Sequence, residues 1–229
     1  YMSNKKSIPI RFKNFRPGAY CFKEIVKGGL PSLFRQGCSS IAFVMLNHSA
    51  GVYGDAAIAA MTVVQRIMQF AASAMIGYGQ GFQPVCGFNF GAKKYDRVKD
   101  GVKFCTKSSL LVLIAFSVIG IVFAPQLIAQ FRDDPEVIAI GVRTLRFQCI
   151  SFPLVGWIII SNMMAQTIGY TVRASIMGMG RQFLFFVPCL YIMSAVMGLT
   201  GIEASQMAAD IIGFVVSLAI GIDILKKMK

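Results

Sequence analysis

Six runs of mostly apolar residues, each long enough or nearly so to cross a bilayer, constrain what this chain can become. They are approximately Leu30–Ala50, Ala56–Ile76, Leu110–Phe131, Phe147–Ile168, Gln182–Gly198 and Ile202–Leu225. About 20 helical residues span the roughly 30 Å of hydrocarbon. In lipid a spanning segment must satisfy its own backbone hydrogen bonds. The expected fold is therefore all-α, an integral membrane bundle of six transmembrane helices. Composition agrees, since only 14% of the 229 residues are charged and 55% are hydrophobic, where a soluble domain carries about a quarter charged residues.

The formal net charge is +13. Nucleic-acid binders gather Lys and Arg on a folded polar face. Here they lie between apolar runs, so no nucleic-acid partner is expected, and membrane lipid is. Up to Lys27 there are Lys5, Lys6, Arg11, Lys13, Arg16, Lys23 and Lys27. Lys93, Lys94, Arg97, Lys99, Lys103 and Lys107 follow the second run, Arg173 and Arg181 the fourth, and Lys226, Lys227 and Lys229 the sixth. The opposite connections carry only Arg132, with Asp55, Asp133, Asp134, Glu136 and Glu203. The positive-inside rule then places both ends in the cytoplasm. Residues 1–28 form a basic segment whose Ile8–Gly28 stretch alternates aromatics with cations, as an interfacial lead-in does; a disordered basic tail is the alternative. Residues 29–229 form the membrane domain, with Pro31 in the first turn of the first span. No cleavable signal is evident. The chain opens on Tyr1 rather than Met, and a portion upstream is expected.

Several polar residues fall inside the spans. Arg66 lies near the middle of the second, where a charge costs at least ~2.5–3.5 kcal/mol. It should face the bundle interior or a wet cavity, and Asp210 in the sixth span is its most attractive counter-ion. The pair is either a fixed brace or part of a transport cavity. Arg35, Gln36, Ser39 and Ser40 mark one part of the first span, and Asn162 and Gln166 share a face of the fourth. They serve either interhelical hydrogen bonding or cavity lining. Pro153 should interrupt the fourth span. In Gly77–Gly101, Gly79, Gln80, Gly81, Gln83 and Pro84 suggest the place where the second helix leaves the bilayer.

Other features are ordinary. Asp133-Asp134-Pro135-Glu136 superficially resembles an acidic metal motif, but N-capping by Asp134, Pro135 in the first turn and Glu136 near the dipole explain it. His48 lacks a second ligand at metal spacing. The six cysteines, Cys21, Cys38, Cys86, Cys105, Cys149 and Cys189, are scattered and read as small packing residues. No nucleophile elbow, zinc-protease or phosphate-loop pattern is present, so neither an enzyme, a metal nor a cofactor is expected.

The segment GYGQGFQPVCGFNFGAKKYDRV (77–98) closely resembles one in the second half of bacterial multidrug and toxic compound extrusion (MATE) transporters. Further matches follow the family order: GLPSLFRQ (29–36), LNHSAGVYGD (46–55), Arg66, DPEVIAIGVRTLR (134–146), RASIMGMGRQ (173–182) and AAD (208–210). The resemblance covers essentially the whole chain. It implies the C-terminal six-helix lobe of a twelve-helix antiporter in the bacterial cytoplasmic membrane, with the N-terminal lobe as partner. Such antiporters export cationic amphipathic compounds by alternating access, in exchange for protons or sodium. Where some members carry an acidic residue for the coupling cation in the first helix of this lobe, this chain has Ser39, and its fourth span offers Asn162 and Gln166. A fragment inactive by itself, or a lipid-linked glycan flippase of the wider superfamily, are the alternatives.

Overall fold

The computed structural model of the chain describes residues 18–228; the side chains of residues 20, 21 and 24–35 are outside the described set. Helices run in the order α1 (Ala19–Gly51), α2 (Asp55–Gly91), α3 (Tyr95–Val122), the short α4 (Ala124–Ala129), α5 (Pro135–Thr167), α6 (Thr171–Met179), a π-helical turn (Gly180–Leu184), α7 (Phe186–Met197) and α8 (Leu199–Lys227). Among the described residues five rods are long and apolar enough to cross a membrane: α2, α3, α5, the combined α6–α7 rod and α8. The 33-residue α1 is long enough, but Gln36, Ser39, Ser40, Asn47 and His48 dilute its hydropathy. Exposed Leu111, Phe116, Val118 and Ile119 on α3, and Ile192 and Val196 on α7, form apolar surfaces that suit lipid and not water. The chain is a multi-pass membrane protein.

Helix α5 is the hub, packing most extensively on α8, α2 and α3. Two-thirds of its most apolar stretch (67%) is buried inside the lobe, against 44% for α2 and 28% for α3. Small residues let its neighbours approach, as helices in lipid require. A methyl group added at Gly79 of α2 would stand 3.2 Å from Ile159 and Met163, and one at Gly87 would stand 3.1 Å from Thr167. The apolar core falls into two clusters. One holds Leu46, Met61, Val137, Phe152 and Ile202. The other, toward the basic end, holds Phe82, Val98, Met164, Met177 and Ile224.

The structure corrects three expectations. Helix α2 itself runs unbroken through the Gly79–Pro84 stretch to Gly91. At ~1.5 Å per residue its 37 residues reach about 55 Å, well beyond the hydrocarbon. Its real stop comes later, where Lys93 turns left-handed (φ 58°) and the Lys94 amide donates back to the Asn89 carbonyl at 2.9 Å, in the manner of a Schellman cap. Gly79 is a packing contact against α5, whereas Gly77 and Gly81 are exposed and an added methyl group there would meet nothing within 4 Å. Pro153 does not interrupt α5, which remains one helix from Pro135 to Thr167. The fifth span starts at Thr171 and not near Gln182, so Arg173 and Arg181 belong to a rod and not to a loop. Pro31 lies well inside α1, which begins at Ala19. Residues 8–17 of the amphipathic lead-in lie outside the described residues. The acidic turn is as expected: Asp134 caps α5 by accepting the Glu136 amide at 3.0 Å, with Pro135 in the first turn.

Gly198, at φ 60°, reverses the chain between α7 and α8. Three residues on, a methyl group at Gly201 would lie 1.9 Å from the Met193 carbonyl oxygen. Neither backbone can give way without opening this hairpin. Gly201→Ala should therefore cost at least the ~1–3 kcal/mol typical of overpacking. We expect a lowered melting temperature in detergent; an unchanged one would contradict the close α7–α8 crossing.

Candidate functional site

Two polar arrangements stand out, and they lie on different faces of the lobe. The first is an open stripe on α2. Arg66, Gln69, Phe70, Ser73, Gly77, Gln80, Gly81 and Pro84 recur at helical spacing and are all exposed. Within it the Ser73 hydroxyl donates to the Gln69 carbonyl at 2.8 Å. The adjoining arm α1 presents Gln36, Gly37, Ser40, Ile41, Val44 and His48. Ser40 and Arg66 stand equally far from the Val52–Gly54 turn, so they sit at one depth of the α1–α2 hairpin. Ser39 is half-buried and Gln83 likewise, while the side chain of Arg35 is outside the described residues.

The second arrangement is a series of acids along α8, each held by an arginine. Asp210, 1% exposed, accepts from Arg181 Nε at 2.6 Å. Gln206 Nε2 donates to the same oxygen at 3.0 Å, and the Ser151 hydroxyl donates to the other at 3.1 Å. The pairing expected between Asp210 and Arg66 is not formed. Asp210 faces α5 and the π turn, whereas Arg66 faces out of the lobe, with no ion pair among the described residues. The π turn supplies the geometry: the Phe185 amide donates to the Gly180 carbonyl at 2.8 Å, and the widened turn aims Arg181 inward. Such turns are frequent at functional positions.

Toward the basic end, Arg173 Nη1 donates to Asp223 at 2.6 Å and Lys227 to the same oxygen at 2.9 Å. Toward the opposite end, Arg143 Nη2 donates to Glu203 Oε1 at 3.0 Å. Sequence reasoning missed Arg181, Arg143, Glu203, Ser151 and Gln206. By sequence Arg181 reads as a loop charge and Glu203 as part of an exposed connection. The i, i+4 spacing of Gln206 and Asp210 was the available signal.

Asn162 serves as interhelical cement: its side chain, buried on α5, donates to the Ala174 carbonyl on α6. Gln166, exposed, donates through its side-chain amide to Asn162 Oδ1. Two shallow clefts lie at the ends of the bundle. One is lined by Lys93, Lys94, Tyr95, Asp96, Arg97, Lys99 and Met228, the other by Val44, Asn47, His48, Gly51, Val52 and Ile58. Among the described residues no three His, Cys, Asp or Glu side chains gather to hold a metal ion, and five described cysteines are free; Cys21 lies outside the described side chains.

Removing one partner from a buried ion pair strands the other charge. Arg181→Ala should thus destabilise the lobe by about 3–5 kcal/mol, read as a fall in thermal stability. Combining it with Asp210→Asn should recover much of the loss. If the double variant is as unstable as the single one, Arg181 acts through packing and not through charge.

The family model MatE matches residues 31–192. The multidrug export protein MepA of Staphylococcus haemolyticus is 25% identical over 211 residues, covering 92% of this chain and 46% of that protein. MepA of Staphylococcus aureus strain MSSA476 is 26% identical over 210 residues, with the same coverage of 92% and 46%. An outward-facing multidrug resistance MATE family transporter of the MOP superfamily aligns with a TM-score of 0.85 at 22% identity, over 96% of this chain and 50% of that one. An inward-facing one aligns at 0.84 and 21% identity, over 99% and 53%. The chain spans about half the length of the curated relatives it matches. An all-helical membrane lobe, a family model covering most of its length and whole-lobe structural matches lead to one assignment: this chain belongs to the MatE family.

Proposed function

We propose that the chain is the C-terminal lobe of a cation-coupled multidrug antiporter that exports cationic amphipathic compounds by alternating access. It is a transporter part and not an enzyme. Its partners would be membrane lipid, the substrate and an N-terminal six-helix lobe of the same protein. Its place would be the bacterial cytoplasmic membrane, both ends cytoplasmic, and the coupling ion a proton or sodium. The observation that carries the reading is the α2 stripe around Arg66. A guanidinium about 17 Å along a spanning helix costs several kcal/mol against lipid, and none of the lobe's own described helices covers it. A second lobe, with water or substrate between, would relieve that cost. Relatives twice as long supply room for such a lobe.

Two further facts support the reading. The lobe fits neighbours described as outward-facing and inward-facing equally well, with TM-scores of 0.85 and 0.84. A lobe that keeps its shape across both is suited to rocking as a rigid body. Aromatic and small residues beside Arg66, with Phe70 79% exposed, offer apolar contact with varied lipophilic cations. In this scheme Arg66 finds its counter-charge on the facing lobe, and a cationic substrate competes with Arg66 for it. The open face also means that the lobe alone transports nothing.

Arg66→Ala in the full-length protein should leave expression and melting temperature unchanged. Efflux of cationic dyes should fall about tenfold, the equivalent of ~1.4 kcal/mol. Efflux at the wild-type rate would remove this stripe from the transport path.

A further inference from the structure

The three acids of α8 are not equally satisfied. Both oxygens of Asp210 accept hydrogen bonds, from Arg181, Gln206 and Ser151. Asp223 is half-exposed and shared by two cations. Glu203 differs. Its side chain is 0% exposed, and its partner Arg143 is 55% exposed, so only part of that arginine is enclosed with the carboxylate. Only Oε1 is bonded; Oε2 is sealed and has no hydrogen-bond partner among the described residues. A sealed carboxylate oxygen without a donor is among the costliest groups a protein can carry.

We propose that Glu203 is a proton-binding site, taking up a proton at Oε2 from the aqueous phase on the Arg143 side and so linking proton binding to the packing of α5 on α8. This rests on the antiporter reading and names the coupling group that it lacked. The step balances simply. A lone pair of Oε2 accepts one proton from water, the carboxylate becomes a neutral acid, no electrons change owner, and Arg143 loses the counter-charge that ties α5 to α8. A metal ion fits less well, since one sealed oxygen is offered and no acidic or imidazole cluster surrounds it among the described residues.

The charged and titratable groups on the helices packed against α8 are few. Helix α5 offers Glu136, Arg143, Arg146 and Cys149, α6 offers Arg173, and the π turn offers Arg181. Helix α7 has Cys189 and Tyr191, and the described part of α1 has Lys23, Cys38 and His48. Arg173 and Arg181 are committed to Asp223 and Asp210, and among the described residues Arg143 alone forms an ion pair with Glu203. The site lies in the early turns of α8, at the end opposite the basic cleft of Lys93, Lys94, Arg97 and Lys99. In the antiporter reading that end faces the outside, from which coupling protons arrive.

The test uses the full-length protein that carries this chain, in detergent. Infrared difference spectra between mildly acidic and mildly alkaline pH should show the C=O band of a protonated carboxyl. The band should vanish in Glu203→Gln, survive in Asp210→Asn, and appear at a displaced pH in Arg143→Gln. Substrate affinity should change about tenfold over that pH range in the wild type and stay flat in Glu203→Gln. A band that persists in Glu203→Gln overturns the proposal, as does wild-type pH dependence in that variant. Should Glu203→Gln fail to fold, an unmoved band in Arg143→Gln overturns it equally. A protein that shows the Glu203 band but moves no dye would sink the antiporter reading and leave the proton site standing.

Discussion

Everything in this lobe depends on how closely α2, α3 and α8 can approach α5. In hydrocarbon, burying apolar side chains between helices yields no hydrophobic gain, so association relies on van der Waals fit and a few interhelical hydrogen bonds. The chain meets that demand with small residues at the crossings. A methyl group at Gly156 would stand 2.8 Å from the Ser109 hydroxyl, and one at Gly120 would stand 2.5 Å from Cys149 Sγ. Close approach then makes polar cement possible, as between Asn162 and the Ala174 carbonyl or Tyr78 and Ser108. It also dictates which faces are left over. Helix α3 is used on one side only and gives the other to lipid, while α2 is used on the α5 side and keeps its polar stripe open.

Buried charge follows from the same geometry. Because α5 and α8 form the most extensive helix pair, an acid on their shared face is removed from both water and lipid. It persists only with a partner brought by a neighbour. Asp210 receives that partner through a π turn, which rotates Arg181 inward by widening one turn of an otherwise regular rod. Glu203 receives half a partner, since Arg143 stays more than half exposed and bonds only Oε1. The two sites thus differ in kind. One is saturated and braces the lobe, whereas the other retains an oxygen with no hydrogen-bond partner among the described residues.

Much of the fold was legible because lipid imposes a coarse code. Apolar length marks the spans, and capping residues such as Asp134 and Pro135 mark a helix start. What failed was the reading of glycine and proline. Gly79, Gly81 and Pro84 carry breaker chemistry, yet α2 runs through them; at Gly79 the close approach of α5 outweighs the ~1 kcal/mol of intrinsic helix preference lost at a glycine. The site was half legible. Arg66 announces itself by its cost at mid-span. The partner of Asp210 did not, because a pairing across helices depends on rotation about each axis, and the π turn that sets Arg181's rotation leaves no periodic trace in the sequence.

The separation of the two polar systems bears on how a lobe of this kind can work. The open stripe around Arg66 belongs to the α1–α2 hairpin, and the acid series belongs to α8 and its arginines, with the α5 hub between them. A change in charge at Glu203 acts first on the α5–α8 pair, and α5 packs on α2 through Gly79 and Gly87, where 3.1–3.2 Å is all that a single added carbon would have. Contacts that tight do not absorb motion; they pass it on as a shift of one helix against the next. The hub therefore connects the Glu203 end of α8 with the open polar face of α2 through packing, with no hydrogen-bonded chain between them among the described residues.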